Sequence, residues 1–179
     1  VEKLRATLKA NPFHLGARKQ LGIILKKQGH FEEAAEQLSK VIPQEPDQAD
    51  LRLHRAEAWI TLGQMGKAES DYRAVLKTTP DELNATMALA WVLAVGTETT
   101  PEQRAEAIVL AEHVVKATRR NAAKPLDVLA AALAASGEFD KAQLCADEAW
   151  GLALLGKDKK FAKAVSDRLR LYREKKPHR

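Results

Sequence analysis

The side chains that most often carry out chemistry, histidine and cysteine, are few and scattered in this chain. His14, His30, His54, His113 and His178 form neither an HExxH pattern nor the paired His/Cys spacing that puts metal ligands on one helix face. The nine glycines form neither a Walker-type nor a dinucleotide-binding pattern. The sequence therefore predicts no metal site, no nucleotide cofactor and no zinc-dependent catalysis.

Cys145 is the single cysteine, so no disulfide can form within the chain. It stands between Ala142 and Ala146 in a pattern with helical spacing, where a cysteine usually packs as a small apolar residue. A catalytic thiol would need a neighbouring base, and the spacing supplies none. We therefore predict that the chain is not an enzyme.

The net charge of +5 is concentrated in one segment. Residues 157–179 hold ten Lys/Arg against three Asp/Glu, whereas residues 1–156 carry a net charge of −2. RNA reading by helical repeats needs a base-reading pair that recurs in every repeat, and equivalent positions here do not repeat chemically. The sequence thus argues against nucleic acid as a partner. It shows no membrane-spanning apolar run and no signal-peptide pattern, and it leaves the compartment open.

The elements that must position these side chains follow a strict period. Pro12, Pro46 and Pro80 recur at intervals of 34 residues, and other positions keep the same step. Aligned on these prolines, repeats begin at Leu15, Ala49 and Leu83, and a fourth begins near Ala123. The recurring small and large apolar positions are Leu21, Gly22, Leu25, Ala34 and Leu38 in the first repeat, Ala56, Trp59, Ala68 and Tyr72 in the second, Leu89, Ala90, Leu93, Ala107 and Ala111 in the third, and Leu129, Ala130, Leu133, Ala142 and Ala146 in the fourth.

These positions resemble the tetratricopeptide repeat (TPR) family, which has L-G-x-x-Y in its first helix, A-x-x-x-F in its second and a closing proline. Arg55 departs from the pattern, because it stands where the family has leucine. The resemblance implies an all-α fold, a right-handed α-solenoid of antiparallel helix pairs (helices A and B of each repeat) with a concave side. Residues 126–132, 137–142, 168–173 and 176–177 also resemble the closing segment of large bacterial TPR proteins, which suggests a bacterial origin.

We predict a single TPR domain over residues 1–179. Gly29, Gly63 and Gly137 are expected to end A helices in the left-handed conformation, and Thr100 with Gln103 forms a capping box that predicts a helix from about Pro101. The predicted segments are 1–14, the second helix of a preceding partial repeat; 15–48, repeat 1; 49–82, repeat 2; 83–122, repeat 3 with an inserted loop at 97–101; 123–156, repeat 4; and 157–179, a basic capping helix.

Two of these segments have a second reading. The inserted loop is either a tolerated surface loop or a binding loop. In residues 157–179, Phe161, Val165, Leu169 and Tyr172 recur at helical spacing among Lys and Arg. That helix either caps the last apolar face of the array or offers a basic surface to anionic lipid, RNA or an acidic partner.

The family resemblance implies that the chain is a scaffold that binds a protein or peptide along the concave face of its A helices. The clamp that some TPR domains use for acidic chaperone tails is absent, because Ile23, His54 and Asn84 stand at three of its Asn/Lys positions. An extended or helical segment with apolar anchors fits Leu53, Met87 and Trp91 better. The predicted partner-binding residues are Lys19, Gln20, Ile23, Lys27, Asp50, Leu53, His54, Glu57, Asn84, Met87, Trp91, Lys124 and Asp127.

Three alternatives stay open at this point. Met87 and Trp91 could simply fill space between A helices. The chain could be a regulatory or targeting domain of a larger enzyme whose catalytic part precedes Val1, since the sequence starts inside a repeat. Apolar surface at that end could also support self-association.

Overall fold

A computed structural model describes residues 1–178, and within them the chain is helical, with no strand. The predicted all-α class of antiparallel helix pairs is confirmed. The helices of the described part are α1 (Glu2–Ala10), α2 (Leu15–Lys27), α3 (Phe31–Val41), α4 (Ala49–Thr61), α5 (Met65–Thr78), α6 (Leu83–Val95), α7 (Pro101–Ala117), α8 (Ala123–Ala135), α9 (Phe139–Leu155) and α10 (Lys159–Arg173).

The turns within the pairs are built as glycine placement predicts. Gly29, Gly63 and Gly137 all have positive φ angles, of 84°, 71° and 83°, directly after the helices that they end. The turn between α9 and α10 differs, because Gly156 has a φ of −74° and Lys157 takes the left-handed conformation instead, with a φ of 57°. The next helix is then fixed by Asp158, whose carboxylate accepts the N–H of Phe161 at 3.0 Å.

The insertion in the third repeat lies between Val95 and Pro101 and leads into a capped helix. Thr100 accepts the N–H of Gln103 at 3.3 Å, and the side chain of Gln103 accepts the N–H of Thr100 at 3.0 Å. This reciprocal pair satisfies two donors that would otherwise lack a partner at the start of α7. The predicted helix start at Pro101 is confirmed.

The chain divides into two compact units, unit 1 (Val1–Ala85) and unit 2 (Thr86 onward), with the division in the first turns of α6. This division into compact units does not test the prediction of a single domain over residues 1–179, which stays a prediction. In unit 1, α2 packs against α1, α3 and α4, and α4 packs against α3 and α5. In unit 2, α8 packs against α7 and α9, and α9 packs against α10.

Small residues let the helices of a pair approach closely. Ala34 is fully buried, and a Cβ added to Gly22 would lie 2.9 Å from Leu38 Cγ, closer than packed side chains tolerate. Leu4 and Leu8 of α1 pack against the same cluster, beside Leu21. The core of unit 2 is equally rich in alanine, with Ala90, Ala130, Ala142, Ala146 and Ala149 all buried.

The helix α10 buries one face and exposes its charges. Ala162, Val165, Leu169 and Tyr172 are buried, and Val165, Leu169 and Tyr172 belong to the core of unit 2. The exposed side of the helix carries lysine and arginine. Burial of this apolar stripe holds α10 against α9.

Candidate functional site

The A helices of unit 1, α2 and α4, lie against each other and bring most of the predicted partner-binding residues to neighbouring positions. Four of these side chains are exposed: Gln20, Lys27, Asp50 and Glu57. Four others are partly buried: Lys19, Ile23, Leu53 and His54. The two helices therefore present apolar and charged groups of both signs within one surface.

Ion pairs connect α2 to α4 and to the segment that precedes α4. Lys26 forms a salt bridge with Glu57, and its Nζ lies 3.0 Å from Nδ1 of His54. Lys19 donates to Gln48 and lies 3.5 Å from a carboxylate oxygen of Glu45. Both lysines are thus committed to neighbours within the chain.

Sequence reasoning missed Lys26, although it selected Lys27 at the next position. The side chain of Lys26 is only 15% exposed, whereas Lys27 lies out in solvent. Helical spacing places residue 26 three positions after Ile23, on the same face, and this signal could have identified it. Lys26 is the residue that connects His54 and Glu57 to α2.

His54 is held in its neutral form by its surroundings. Burial lowers the pKa of His54 below its ordinary value, and the positive charge of Lys26 lowers that pKa further. A neutral imidazole accepts a hydrogen bond from the lysine ammonium through Nδ1. The ring therefore contributes polarity to this surface without adding positive charge at neutral pH.

Asn84, the last predicted residue in unit 1, lies in the first turn of α6 and is exposed. Its backbone N–H donates to the carboxylate of Glu82 at 3.0 Å. The amide side chain faces solvent, so it is accessible to a partner.

The predicted residues of unit 2 fall into different environments. Met87 and Trp91 on α6 are partly buried and pack against the apolar core of the unit. Lys124, at the start of α8, is exposed, whereas Asp127 is only 3% exposed. Met87 and Trp91 thus do contribute to packing, as one sequence alternative holds, while part of each side chain stays accessible.

Arg168 of α10 binds Asp127 of α8 through two hydrogen bonds. Its Nε and Nη2 donate to the two carboxylate oxygens at 2.8 and 2.6 Å. Burial raises the pKa of Asp127, and the charge and hydrogen bonds of Arg168 oppose that rise. In this structure the Asp127 carboxylate is therefore paired within the chain and turned away from solvent, so its role in partner binding stays a prediction.

Two further groups surround Trp91. The guanidinium of Arg168 lies 5.4 Å from the centre of the Trp91 ring, within the range of a cation–π contact. The ring of His178 lies 5.6 Å from the same ring at an angle of 45°. Residues from α10 and from beyond it thus lie against a residue that the sequence predicts for partner contact.

The departure at Arg55 is explained by a buried acid that the repeat pattern did not reveal. Arg55 donates to Asp71 at 2.8 and 2.6 Å and to the hydroxyl of Ser39 at 2.9 Å. Asp71 is 2% exposed, and Arg52 lies 3.7 Å from it. A charged pair therefore stands where unit 2 has Leu129 and Cys145, which belong to one apolar cluster.

Each unit contains a groove between successive B helices, and repeat-equivalent residues form both. The groove in unit 1 measures about 730 Å³ and is lined by Arg55, Trp59 and Asp71, with the ammonium of Lys67 4.3 Å from the Trp59 ring. The groove in unit 2 measures about 370 Å³ and has Leu129, Leu133 and Cys145 at the equivalent positions. Charged residues line both grooves, so the difference lies at these equivalent positions, where Arg55 and Asp71 of unit 1 correspond to Leu129 and Cys145 of unit 2.

Cys145 lies in the groove of unit 2, where burial raises the pKa of its thiol. Arg120 approaches the sulfur at 3.8 Å and makes a two-pronged ion pair with Glu148 at 2.7 and 3.0 Å. A raised thiol pKa leaves little thiolate at neutral pH, and thiolate is the reactive form. The environment of Cys145 favours a packing role.

The described residues contain neither a metal-binding cluster nor a membrane-spanning helix. Over residues 1–178 no group of three or more His, Cys, Asp or Glu side chains is arranged to hold a metal ion. Within the same part of the chain, none of the helices combines the length and the apolar character that crossing a membrane requires.

Comparison with known proteins agrees with this architecture. Residues 19–82 match the family model described as a tetratricopeptide repeat. No curated protein sequence matches the chain.

Several solved structures share the fold at low sequence identity. MamA from Desulfovibrio magneticus RS-1 (residues 41 to the end) is 18% identical with a TM-score of 0.65, over 89% of this chain and 95% of that one. A tetratricopeptide repeat protein from Parabacteroides merdae is 18% identical with a TM-score of 0.71, over 97% and 70%. A thermophilic TPR protein from Thermus thermophilus is 17% identical with a TM-score of 0.63, over 94% and 86%.

The repeat positions filled by small residues in the packed helix pairs, the family match and the shared fold all agree. Residues 19–82 therefore match the tetratricopeptide repeat family, and the chain as a whole has the fold of solved tetratricopeptide repeat proteins.

Proposed function

We propose that the chain is a protein-interaction scaffold that binds an extended or helical segment of a partner along the A helices of its repeats. The observation that carries the proposal is the shared surface of α2 and α4. There Ile23 and Leu53 are partly exposed, and charged side chains of both signs surround them. Partly exposed apolar side chains within a charged rim are what peptide-binding surfaces use for affinity and register.

The chemistry of this surface favours a partner with apolar anchors over a strongly acidic tail. Lys19 and Lys26 already have acidic or amide partners in the chain, and His54 is neutral. An acidic tail would have to compete with Glu45 and Glu57 for these lysines. An apolar side chain of the partner could instead contact Ile23 or Leu53 without breaking an ion pair.

We further propose that the chain has no catalytic activity of its own. The buried, protonated thiol of Cys145 and the tetratricopeptide fold support this part of the proposal. The alternative is a regulatory or targeting domain of a larger enzyme. Such a domain would use the same binding surface, and only the protein to which the surface is attached would differ. Self-association would appear as a molar mass that rises with concentration in light scattering.

The experiment is affinity capture from the source cells with the purified chain. The test variant combines Leu53→Ala, Met87→Ala and Trp91→Ala on A helices. The matched control combines Val109→Ala and Leu144→Ala, two apolar residues on B helices that are 64% and 65% exposed. Circular dichroism first establishes that both variants fold as the wild type does.

The proposal expects a protein that the wild type and the control capture and that the test variant loses. A protein captured equally by all three would move the binding surface away from the A helices. A protein lost only by the control would assign binding to the B helices and overturn the proposal.

A further inference from the structure

The chain that follows α10, residues 174–178, turns back toward α6, and we call it the return segment. Lys175 has a φ of 55°, in the left-handed region that most side chains avoid. Its N–H donates to the carbonyl of Tyr172 at 3.0 Å, and the N–H of Lys176 donates to the carbonyl of Leu171 at 2.9 Å. This pair of hydrogen bonds is the Schellman arrangement, which reverses the chain at the end of a helix.

The reversal places the end of the return segment on the A-helix surface of unit 2. Pro177 and His178 are both partly buried, although they follow a highly charged stretch. The His178 ring lies 5.6 Å from the ring of Trp91. Burial lowers the pKa of His178, and Arg168 lowers it further, so the ring that meets Trp91 is neutral at neutral pH.

Arg168 of α10 also lies against Trp91. Arg168 lies over its ring and is fixed by two hydrogen bonds to the buried Asp127. His178 of the return segment and Arg168 therefore both lie against Trp91. A partner that contacts this ring therefore meets residues of the chain itself.

We infer that the return segment is an internal ligand of the A-helix surface of unit 2, and that a partner segment reaches Trp91 only when the return segment leaves. This inference rests on the proposed function for the identity of the surface, although the position of the return segment can be tested without any partner. The contacts of Trp91 with His178 and Arg168 indicate what its ring accepts: a flat aromatic ring or a guanidinium group. Partner segments with such a side chain compete directly with the return segment.

The first measurement is the exposure of Trp91 to a neutral quencher, acrylamide. Trp59→Phe and Trp150→Phe are introduced so that Trp91 is the only indole, and circular dichroism checks the fold. Lys175→Pro prevents the reversal, because proline cannot adopt a positive φ and lacks the backbone N–H that donates to the carbonyl of Tyr172. Lys175→Gly is the matched control, because glycine adopts positive φ readily.

The expected result is a quenching constant for Trp91 that rises roughly twofold in Lys175→Pro, since about one face of the indole is uncovered. Lys175→Gly should keep the wild-type constant. His178→Ala should raise it in the same direction, and His113→Ala, which changes an exposed histidine of α7, should not. Equal quenching in all of these proteins would overturn the inference.

The second measurement uses the peptide Glu-Lys-Lys-Pro-His, the sequence of residues 174–178, as the probe. A short tethered segment acts at an effective concentration of about millimolar, so the free peptide is added at roughly ten times that level. It should restore protection of Trp91 in Lys175→Pro and change nothing in the wild type, whose site is already filled. The inference would be contradicted if the peptide failed to protect Trp91 in Lys175→Pro, or if it added equal protection in Lys175→Pro and in the wild type.

These outcomes separate the inference from the proposed function. If affinity capture finds no partner, the quenching data still establish where the return segment lies. If a partner binds the A helices but Trp91 is equally exposed in Lys175→Pro and Lys175→Gly, the scaffold stands and the internal ligand does not.

Discussion

At the scale of single residues, two buried acids distinguish this chain from a simple repetition of its pattern. Asp71 and Asp127 are both almost fully buried, and each has an arginine partner from another helix. Burial of an unpaired carboxylate would be very unfavourable, so each arginine is required once its acid is present. The contributions of Arg55 and Asp71 to stability are therefore coupled.

Removal of one partner and removal of both should have different consequences. Asp71→Ala leaves Arg55 without its acid in a half-buried position, and we expect a loss of about 2–4 kcal/mol in the free energy of unfolding. Arg55→Leu with Asp71→Cys recreates the apolar pair Leu129 and Cys145 of the unit 2 groove, and it should stay within about 1 kcal/mol of wild type. Urea denaturation of the single and double variants measures both values. A double variant as unstable as the single one would contradict the account.

The lowered pKa of His54 predicts how stability depends on pH. The unfolded chain binds a proton near the ordinary histidine pKa, while the folded chain resists protonation, so this contribution is present above that pKa and is lost as pH falls. Between pH 7 and 5.5, the free energy of unfolding of His54→Asn should therefore change less than that of the wild type. His30→Asn, at an exposed histidine, is the control and should keep the wild-type slope.

At the scale of helices, the periodic features were predictable and the cross-helix pairs were not. The 34-residue step, the glycine turns and the Thr100 capping box each depend on residues close in sequence, so the chain alone revealed them. The pair of Arg168 and Asp127 joins residues 41 positions apart, and nothing in the repeat pattern indicates it. Asp127 lies on α8, where it is buried and paired with the arginine from α10.

In the candidate site, too, the sequence predicts which helix carries a residue and does not predict which charges are paired. The repeat phase identified Lys19, Leu53 and His54 as residues of A helices, and the structure brings them together on α2 and α4. It could not indicate which charges are already paired, because lysine side chains reach neighbours on another helix. The return of residues 174–178 depends on a positive φ at Lys175, a residue type that rarely adopts one.

The capping box of α7 should contribute measurably to stability. Thr100→Ala removes the acceptor for the N–H of Gln103, and we expect a loss of about 1 kcal/mol in the free energy of unfolding. Thr97→Ala changes an exposed threonine in the same loop and should have almost no effect. Thermal and urea denaturation of the two variants make the comparison, and equal stabilities would show that the cap contributes nothing.

The crossing of α2 and α3 should tolerate no charge. Ala34 is fully buried there, so Ala34→Glu would place an unpaired carboxylate in a close contact between helices. We expect the free energy of unfolding to fall by about 3 kcal/mol or more. Ala105→Glu introduces the same side chain at an exposed alanine of α7 and serves as the control. An unchanged melting temperature for Ala34→Glu would contradict the assigned repeat phase.

At the scale of the whole chain, the repeat sequence specifies helix packing and leaves the outer surfaces free to vary. Solved structures that are 17–18% identical to this chain share its fold. Fold similarity alone therefore identifies no partner, and function has to be argued from the side chains that α2, α4, α6 and α8 present. The basic character of residues 157–179 adds one further surface whose binding role stays a prediction.

The most direct test of the central claim is hydrogen–deuterium exchange of the wild-type chain with and without its captured partner. If the A helices form the binding surface, partner-induced protection should concentrate in α2, α4, α6 and α8, and the return segment should exchange faster as it leaves Trp91. Protection concentrated in α3, α5, α7 and α9, with the A helices unchanged, would contradict the claim.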